Sequence, residues 1–94
     1  MNDAEKLIIL KKDLQQEFTT SNDVYLNQLL ELSRKLMERE GIKYEEDIEC
    51  EMINVHYAAY LFRKRAGKET SMPRFLRYEL NNLLFAQKGS SHDV

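Results

Sequence analysis

The chain has 94 residues, a net charge of −2 and an apolar fraction of 43%. This length fits one small domain, and this apolar fraction excludes an intrinsically disordered chain. Three glycines and one proline are too few for the turn-dense all-β classes, whereas leucine, glutamate, lysine and arginine are abundant, so the composition predicts an all-α protein.

Local signals predict that residues 1–88 form a single domain, a compact bundle of about four helices. They predict a loose, flexible tail over residues 89–94. The first helix is predicted from residue 3 to about residue 16, with Asn2 or Asp3 as its N-cap. Its inward-facing residues are predicted to be Leu7, Ile8, Leu10 and Leu14, with Phe18 anchoring its exit.

A short polar segment precedes the second helix, and an acidic segment precedes the third. The second is predicted over residues 23–40, with a leucine-rich inward face and Gly41 as its C-terminal cap. The third is predicted to begin at residues 46–47, where several carboxylates face the positive end of the helix dipole, and to end before Gly67. Between residues 52 and 62 this helix is apolar nearly all round, which is typical of a buried helix, so part of it is expected to face another subunit.

The fourth helix is predicted to start at Pro73, whose missing N–H suits a first helical turn, and to end at about Ala86. At 100° per residue its leucines share one side of the helix, and a basic face lies on the other. The residues of that basic face are Arg74, Arg77, Tyr78, Asn81 and Lys88.

No residue pattern predicts a catalytic, cofactor or metal site. His56 has no carboxylate partner on the same face of its helix, because Glu51 lies about 140° away around the axis. Cys50 lies beside carboxylates that disfavour its thiolate, whereas a nucleophilic cysteine needs an electropositive setting. Both residues are therefore expected to be structural, and the chain is not expected to be an enzyme.

Charge is distributed unevenly along the chain. Residues 1–62 contain 7 basic and 13 acidic residues, whereas residues 63–88 contain 7 basic and 2 acidic ones. Such polarity steers an oppositely charged partner, or lets copies of one chain meet head to tail. The basic face of the fourth helix also suits phosphate contacts, so a small helical DNA-binding regulator is the alternative hypothesis. A third hypothesis is an adaptor that binds a helix or peptide in a groove lined by the third helix.

Two neighbouring segments resemble a known family. They read YAAYLFRKRAG at residues 57–67 and MPRFLRYELNN at residues 72–82. With them, most of residues 22–88 resembles the small head-tail connector, or head completion, proteins of long-tailed bacteriophages. In that family a leucine-rich helix precedes a strongly apolar helix that ends in basic residues, and a short final helix follows a loop.

The resemblance implies a structural role in virion assembly. It implies a ring of about a dozen identical subunits, docked beneath the portal of a DNA-filled capsid and joined to a stopper or tail completion protein on its other side. It further implies that genomic DNA passes through this ring without sequence-specific contact. The expected location is the virion neck, after assembly in the host bacterial cytoplasm, for a phage or a prophage copy. No cofactor and no membrane partner is expected.

Two oppositely charged segments are expected to meet across subunits. Residues 45–51 of one copy are predicted to approach residues 63–77 of the next, because a ring needs one face complementary to a different face of its neighbour. Aromatic side chains are expected to act as apolar anchors in that contact. The predicted interface residues are Glu45, Glu46, Glu49, Tyr57, Tyr60, Arg63, Lys64, Arg65, Arg74, Phe75, Arg77 and Tyr78.

Overall fold

Four helices form the computed structural model, which describes residues 1–16 and 18–92, apart from the side chains of residues 90–92. The helices are α1 (Asp3–Asp13), α2 (Asp23–Arg39), α3 (Ile48–Arg65) and α4 (Arg74–His92). These residues contain no strand, so the predicted all-α bundle is confirmed. None of the helices in this part of the chain is long and apolar enough to cross a membrane.

Side-chain caps start two of the helices where the sequence predicts them. The Asn2 side chain accepts a hydrogen bond from the Glu5 N–H at 2.8 Å, and the Glu5 carboxylate accepts one from the Asn2 N–H at 3.0 Å. At the start of α3, the Asp47 carboxylate accepts a hydrogen bond from the Cys50 N–H at 2.8 Å. Each cap satisfies N–H groups that lack a partner within the helix.

Left-handed residues end the first three helices. Gly41 (φ 99°) follows α2 and Gly67 (φ 79°) follows α3, which confirms Gly41 as a capping residue. Gln15 (φ 58°) has the same role after α1, although it is not a glycine. α1 therefore ends before the predicted residue 16, and the chain turns so that Phe18 is 100% exposed. The prediction that Phe18 anchors this exit is wrong. The prediction that Ile8 faces inward is wrong as well, since Ile8 is 55% exposed.

The third helix lies at the centre of the bundle and packs against the other three. Its two opposite sides enter separate apolar clusters, which explains why it is apolar nearly all round. One cluster joins α3 to α4 and the end of α2, and its buried members are Met37, Ile42, Cys50, Ile53, Tyr57, Tyr60, Leu76, Leu80 and Leu83. The other joins α3 to α1 and α2, and its buried members are Leu10, Leu26, Leu29, Leu30, Val55, Ala58 and Ala59.

Two of the predicted interface residues belong to this core. Tyr57 is 7% exposed and Tyr60 is 8% exposed, because α4 and the end of α2 cover them. An anchor between subunits has to be exposed in the monomer, and neither ring is. The prediction that Tyr57 and Tyr60 are interface residues is therefore wrong, and both belong to the core. The expectation that a neighbouring subunit covers part of α3 is not needed to explain its apolar sequence.

The fourth helix continues past its predicted end at Ala86 to His92. The Gln87 side chain holds this extension to the connection between α2 and α3: it accepts a hydrogen bond from the Lys43 N–H at 2.8 Å and donates one to the Lys43 carbonyl oxygen at 2.7 Å. The predicted tail begins at the end of this helix: residues 89–92 are its last residues, and residues 93–94 lie outside the described residues.

Replacement of Gly41 by alanine should lower the free energy of unfolding by about 1 kcal/mol, because an L-residue adopts a left-handed conformation at a cost. Gly89→Ala is the control, since Gly89 lies within α4 at a right-handed position with open space around it; alanine there should preserve or raise stability. Urea denaturation measures both variants. Equal stability of the parent and Gly41→Ala would contradict the assigned backbone conformation.

Candidate functional site

A buried polar network surrounds Asn54 in the middle of α3. The Asn54 amide nitrogen donates hydrogen bonds to the Leu30 carbonyl oxygen at 2.9 Å and to the Ser33 hydroxyl at 2.6 Å. Its amide oxygen accepts hydrogen bonds from the Lys6 ammonium at 3.0 Å and from the Tyr44 hydroxyl at 3.2 Å. All four hydrogen-bonding positions of this amide are occupied, as a fully buried polar side chain requires.

The network also contains two buried groups of opposite charge. Lys6 and Glu51 are both almost fully buried, and the Lys6 nitrogen lies 3.9 Å from one carboxylate oxygen of Glu51. The other Glu51 oxygen lies 3.2 Å from the Met1 amino group. Glu51 is thus part of the interior, although it belongs to the acidic segment of residues 45–51 that was predicted to meet a neighbouring copy. Buried charges of this kind are retained only when paired.

Burial and charge around this network suppress deprotonation. Burial is the main cause that raises the pKa of the Tyr44 hydroxyl, with the nearby Cys50 and Glu51 adding to it. Burial also raises the pKa of the Cys50 thiol, with the carboxylates of Asp47, Glu45 and Glu51 adding to it. Since the nucleophilic form of a cysteine is the thiolate, the thiol of Cys50 is unreactive in this setting.

His56 is hydrogen-bonded within the chain, as the sequence predicts. Its Nδ1 atom lies 2.9 Å from a carboxylate oxygen of Glu79 on α4, and its ring meets that of Phe75 edge to face with centroids 5.8 Å apart. This pair joins α3 to α4, as the Asn54 network joins α3 to α1 and α2. Among the residues that the structure describes, no cluster of three or more His, Cys, Asp or Glu side chains could hold a metal ion.

The predicted acidic interface residues lie together at the start of α3. Glu45, Glu46 and Glu49 are exposed, and Ile48 between them is 72% exposed although it is apolar. The Asp47 cap fixes the direction in which α3 begins. This end of the helix therefore presents carboxylates around one apolar side chain.

The predicted basic residues lie at the end of α3 and on α4, and they differ in their contacts. At the end of α3, Lys64 lies 6.0 Å from the centre of the Tyr60 ring, and Arg65 lies 5.5 Å from that of Tyr25. Arg63 donates a hydrogen bond to the Asp13 carbonyl oxygen at 3.0 Å, which ties α3 to the end of α1.

On α4, Arg77 forms two hydrogen bonds, of 2.7 and 3.2 Å, with the Glu40 carboxylate. This contact raises the pKa of the Arg77 guanidinium, and it makes the charge of Arg77 part of an intramolecular pair. Arg74 remains exposed at the start of α4. The structure therefore leaves a smaller basic face on α4 than the sequence predicts.

The solvent side of α4 carries three exposed aromatic side chains. Phe75, Tyr78 and Phe85 are all more than half exposed, and at 100° per residue they lie within one third of the helix circumference. Phe75 and Tyr78 are among the predicted interface residues, whereas Phe85 is not. Large exposed aromatic side chains on one face are typical of a surface that contacts another macromolecule.

A cleft between α2 and the end of α3 has a volume of ≈ 580 Å³. Its wall includes Tyr25, Leu29, Leu32 and Leu61, and its rim includes Lys64 and Arg65. Sequence reasoning missed the α2 side of this cleft because Leu32 is indistinguishable by type from the buried leucines of α2. A second, larger cleft between α1 and α2 (≈ 640 Å³) is lined by charged residues of both signs.

Comparison with protein-family models, with curated proteins and with solved structures finds no match for this chain. Any assignment of function therefore rests on the residues and surfaces described above.

Replacement of Asn54 by leucine should lower the free energy of unfolding by at least about 2 kcal/mol, since it removes all four buried hydrogen bonds of the Asn54 amide. Asn82→Leu is the control, because Asn82 is exposed on α4. Urea denaturation measures the difference. A change below that of the control would show that the network does not stabilise the bundle.

Stability should fall as the pH rises above about 8.5. The unfolded chain loses a thiol proton at about pH 8.5 and tyrosine protons at about pH 10, whereas the folded chain retains those of Cys50, Tyr44 and Tyr57 because their pKa values are raised. These three protonated groups thus contribute their full stabilisation below their unfolded pKa values. This contribution is lost as the pH rises from the unfolded to the folded pKa of each group.

Urea denaturation between pH 7 and pH 11 measures this effect. Tyr44→Phe should reduce the slope of stability against pH above pH 9, whatever its effect at pH 7, because phenylalanine has no proton to lose. Tyr78→Phe, at an exposed tyrosine, is the matched control. Identical slopes in all three proteins would contradict the role of Tyr44.

Proposed function

We propose that this chain is a structural subunit that assembles head to tail in the neck of a long-tailed phage particle. One observation carries the proposal: exposed acidic and exposed basic side chains lie at opposite ends of the same central helix. Glu45, Glu46 and Glu49 are exposed at the start of α3, and Lys64 and Arg65 are exposed at its end.

The length of α3 prevents these two ends from meeting within one molecule. The helix has 18 residues, so at 1.5 Å per residue its ends are about 25 Å apart. Each surface therefore has its complement on another copy. A contact between two different surfaces repeats from copy to copy, and it forms a closed ring when the rotation between neighbours closes.

The resemblance to phage head-tail connector proteins supplies the setting. The leucine-rich α2, the apolar α3 with its basic end and the later α4 follow the order that the resemblance implies. α4, with 19 residues, is longer than the short final helix of that pattern. In this setting the subunits form a ring in the virion neck, between the portal and a stopper or tail completion protein, and genomic DNA passes through it without sequence-specific contact.

The aromatic face of α4 supports a protein partner over DNA as its ligand. Phe75, Tyr78 and Phe85 are suited to an apolar contact, whereas DNA binding depends on phosphate contacts from several free basic groups. Arg77 is paired with Glu40, which removes one of those groups. In the proposed assembly the portal or the tail completion protein covers this face.

Reversal of two acidic charges should abolish self-assembly. Glu45→Lys combined with Glu46→Lys should leave only monomers in native mass spectrometry of the concentrated protein, because the basic end of a neighbour then meets like charge. Glu31→Lys combined with Glu38→Lys makes the same change in net charge on exposed residues of α2 and should assemble like the parent.

Negative-stain microscopy of the parent, alone and with a purified phage portal ring, tests the setting. Annular particles or occupied portal rings are expected. A parent that stays monomeric and leaves the portal bare, but binds one duplex sequence strongly, would replace this proposal with the DNA-binding regulator.

A further inference from the structure

Ile48 is an apolar side chain placed where water and carboxylates surround it. It is the first residue of α3 and is 72% exposed, and its exposed neighbours are Glu45, Glu46 and Glu49. The Asp47 cap holds the backbone in front of it, so the position of Ile48 is fixed. An ordered, β-branched side chain of this kind can enter a pocket with little loss of conformational entropy.

The cleft between α2 and α3 has the opposite character. Its wall is mostly apolar, with the side chains of Tyr25, Leu29, Leu32 and Leu61, and it also includes Gln28. Leu32 is 46% exposed, so this wall is open to a ligand. Lys64 and Arg65 lie at the rim, and the Arg65 guanidinium lies beside the face of the Tyr25 ring.

We propose that Ile48 of one copy inserts into the cleft between α2 and α3 of the next copy. In this contact, the carboxylates beside Ile48 face Lys64 and Arg65 at the rim. This inference rests on the proposed head-to-tail assembly and identifies the residues of its contact. Apolar burial supplies affinity and the paired charges set the orientation.

A second copy of this chain is the occupant that the charges favour. The cleft has an apolar wall and a basic rim, so its ligand needs an apolar side chain flanked by acidic groups. Ile48 meets this requirement. The exposed aromatic residues of α4 do not, because Glu79 of the same helix is paired with His56. The same helix carries the side chain at one end and the cleft at the other, so the contact joins two molecules.

Two single substitutions separate the two halves of the contact. Ile48→Glu removes the inserted side chain and leaves the cleft intact, whereas Leu32→Glu blocks the cleft and leaves Ile48 intact. Each variant alone should be monomeric in sedimentation velocity. An equimolar mixture should contain a dimer and nothing larger, because one intact contact remains and it cannot be repeated. Ile8→Glu alters another exposed apolar residue and should assemble like the parent, and circular dichroism checks the fold of each variant.

Disulfide trapping detects the contact even when it is weak. Ile48→Cys and Leu32→Cys proteins, distinguished by a mass tag, should give a mixed disulfide dimer under mild oxidation. The buried Cys50 remains unreactive. Ile8→Cys mixed with Leu32→Cys provides the background level.

The outcomes distinguish this contact from head-to-tail assembly itself. If Ile48→Glu assembles like the parent while the Glu45→Lys, Glu46→Lys variant does not, the inserted side chain is wrong and charge-driven assembly stands. If the parent is monomeric and trapping stays at background, both the contact and self-assembly are overturned. Mixed dimers above background, with or without larger species in the parent, support the contact.

Discussion

The amide of Asn54 is the point at which the first three helices and the connection before α3 are joined. Its nitrogen bonds to Leu30 and Ser33 on α2. Its oxygen bonds to Lys6 on α1 and to Tyr44 in that connection. Hydrogen bonds of this kind are strong in a low-dielectric interior. A buried polar group that lacks a hydrogen bond destabilises the fold by its desolvation free energy. The network therefore fixes how far α3 lies along its neighbours and how it is rotated about its axis.

The central position of α3 determines which residues remain for partners. Both of its apolar sides, including Tyr57 and Tyr60, are covered by the chain's own helices. Among the surfaces that remain exposed are the acidic start of α3, its basic end with the adjoining cleft, and the exposed aromatic side chains of α4. Surfaces separated in this way favour contacts that repeat from copy to copy.

The charged surfaces and the apolar ones have different roles in such a contact. Exposed charges are screened by salt and contribute little free energy as isolated pairs, but they orient the approach of two molecules. Apolar side chains that leave water supply most of the affinity. Ile48 among carboxylates and the cleft beneath Lys64 and Arg65 combine both features on each side of the proposed contact. Ile48 lies outside the two apolar clusters, whereas the cleft borders the second cluster through Leu29.

The sequence by itself determined the helices, because caps and turn residues act over a few positions: Asn2 and Asp47 start helices, and Gly41 and Gly67 end them. It also located the exposed acidic group before α3. Tertiary structure decided what depends on residues distant in sequence. The buried Lys6 donates a hydrogen bond to Asn54, and Arg77 forms an ion pair with Glu40. The part of α4 beyond Ala86 is held by the hydrogen bonds between Gln87 and Lys43. The role of Ile48 has the same origin, since periodicity distinguishes apolar from polar positions but does not show which apolar side chains the other helices leave uncovered.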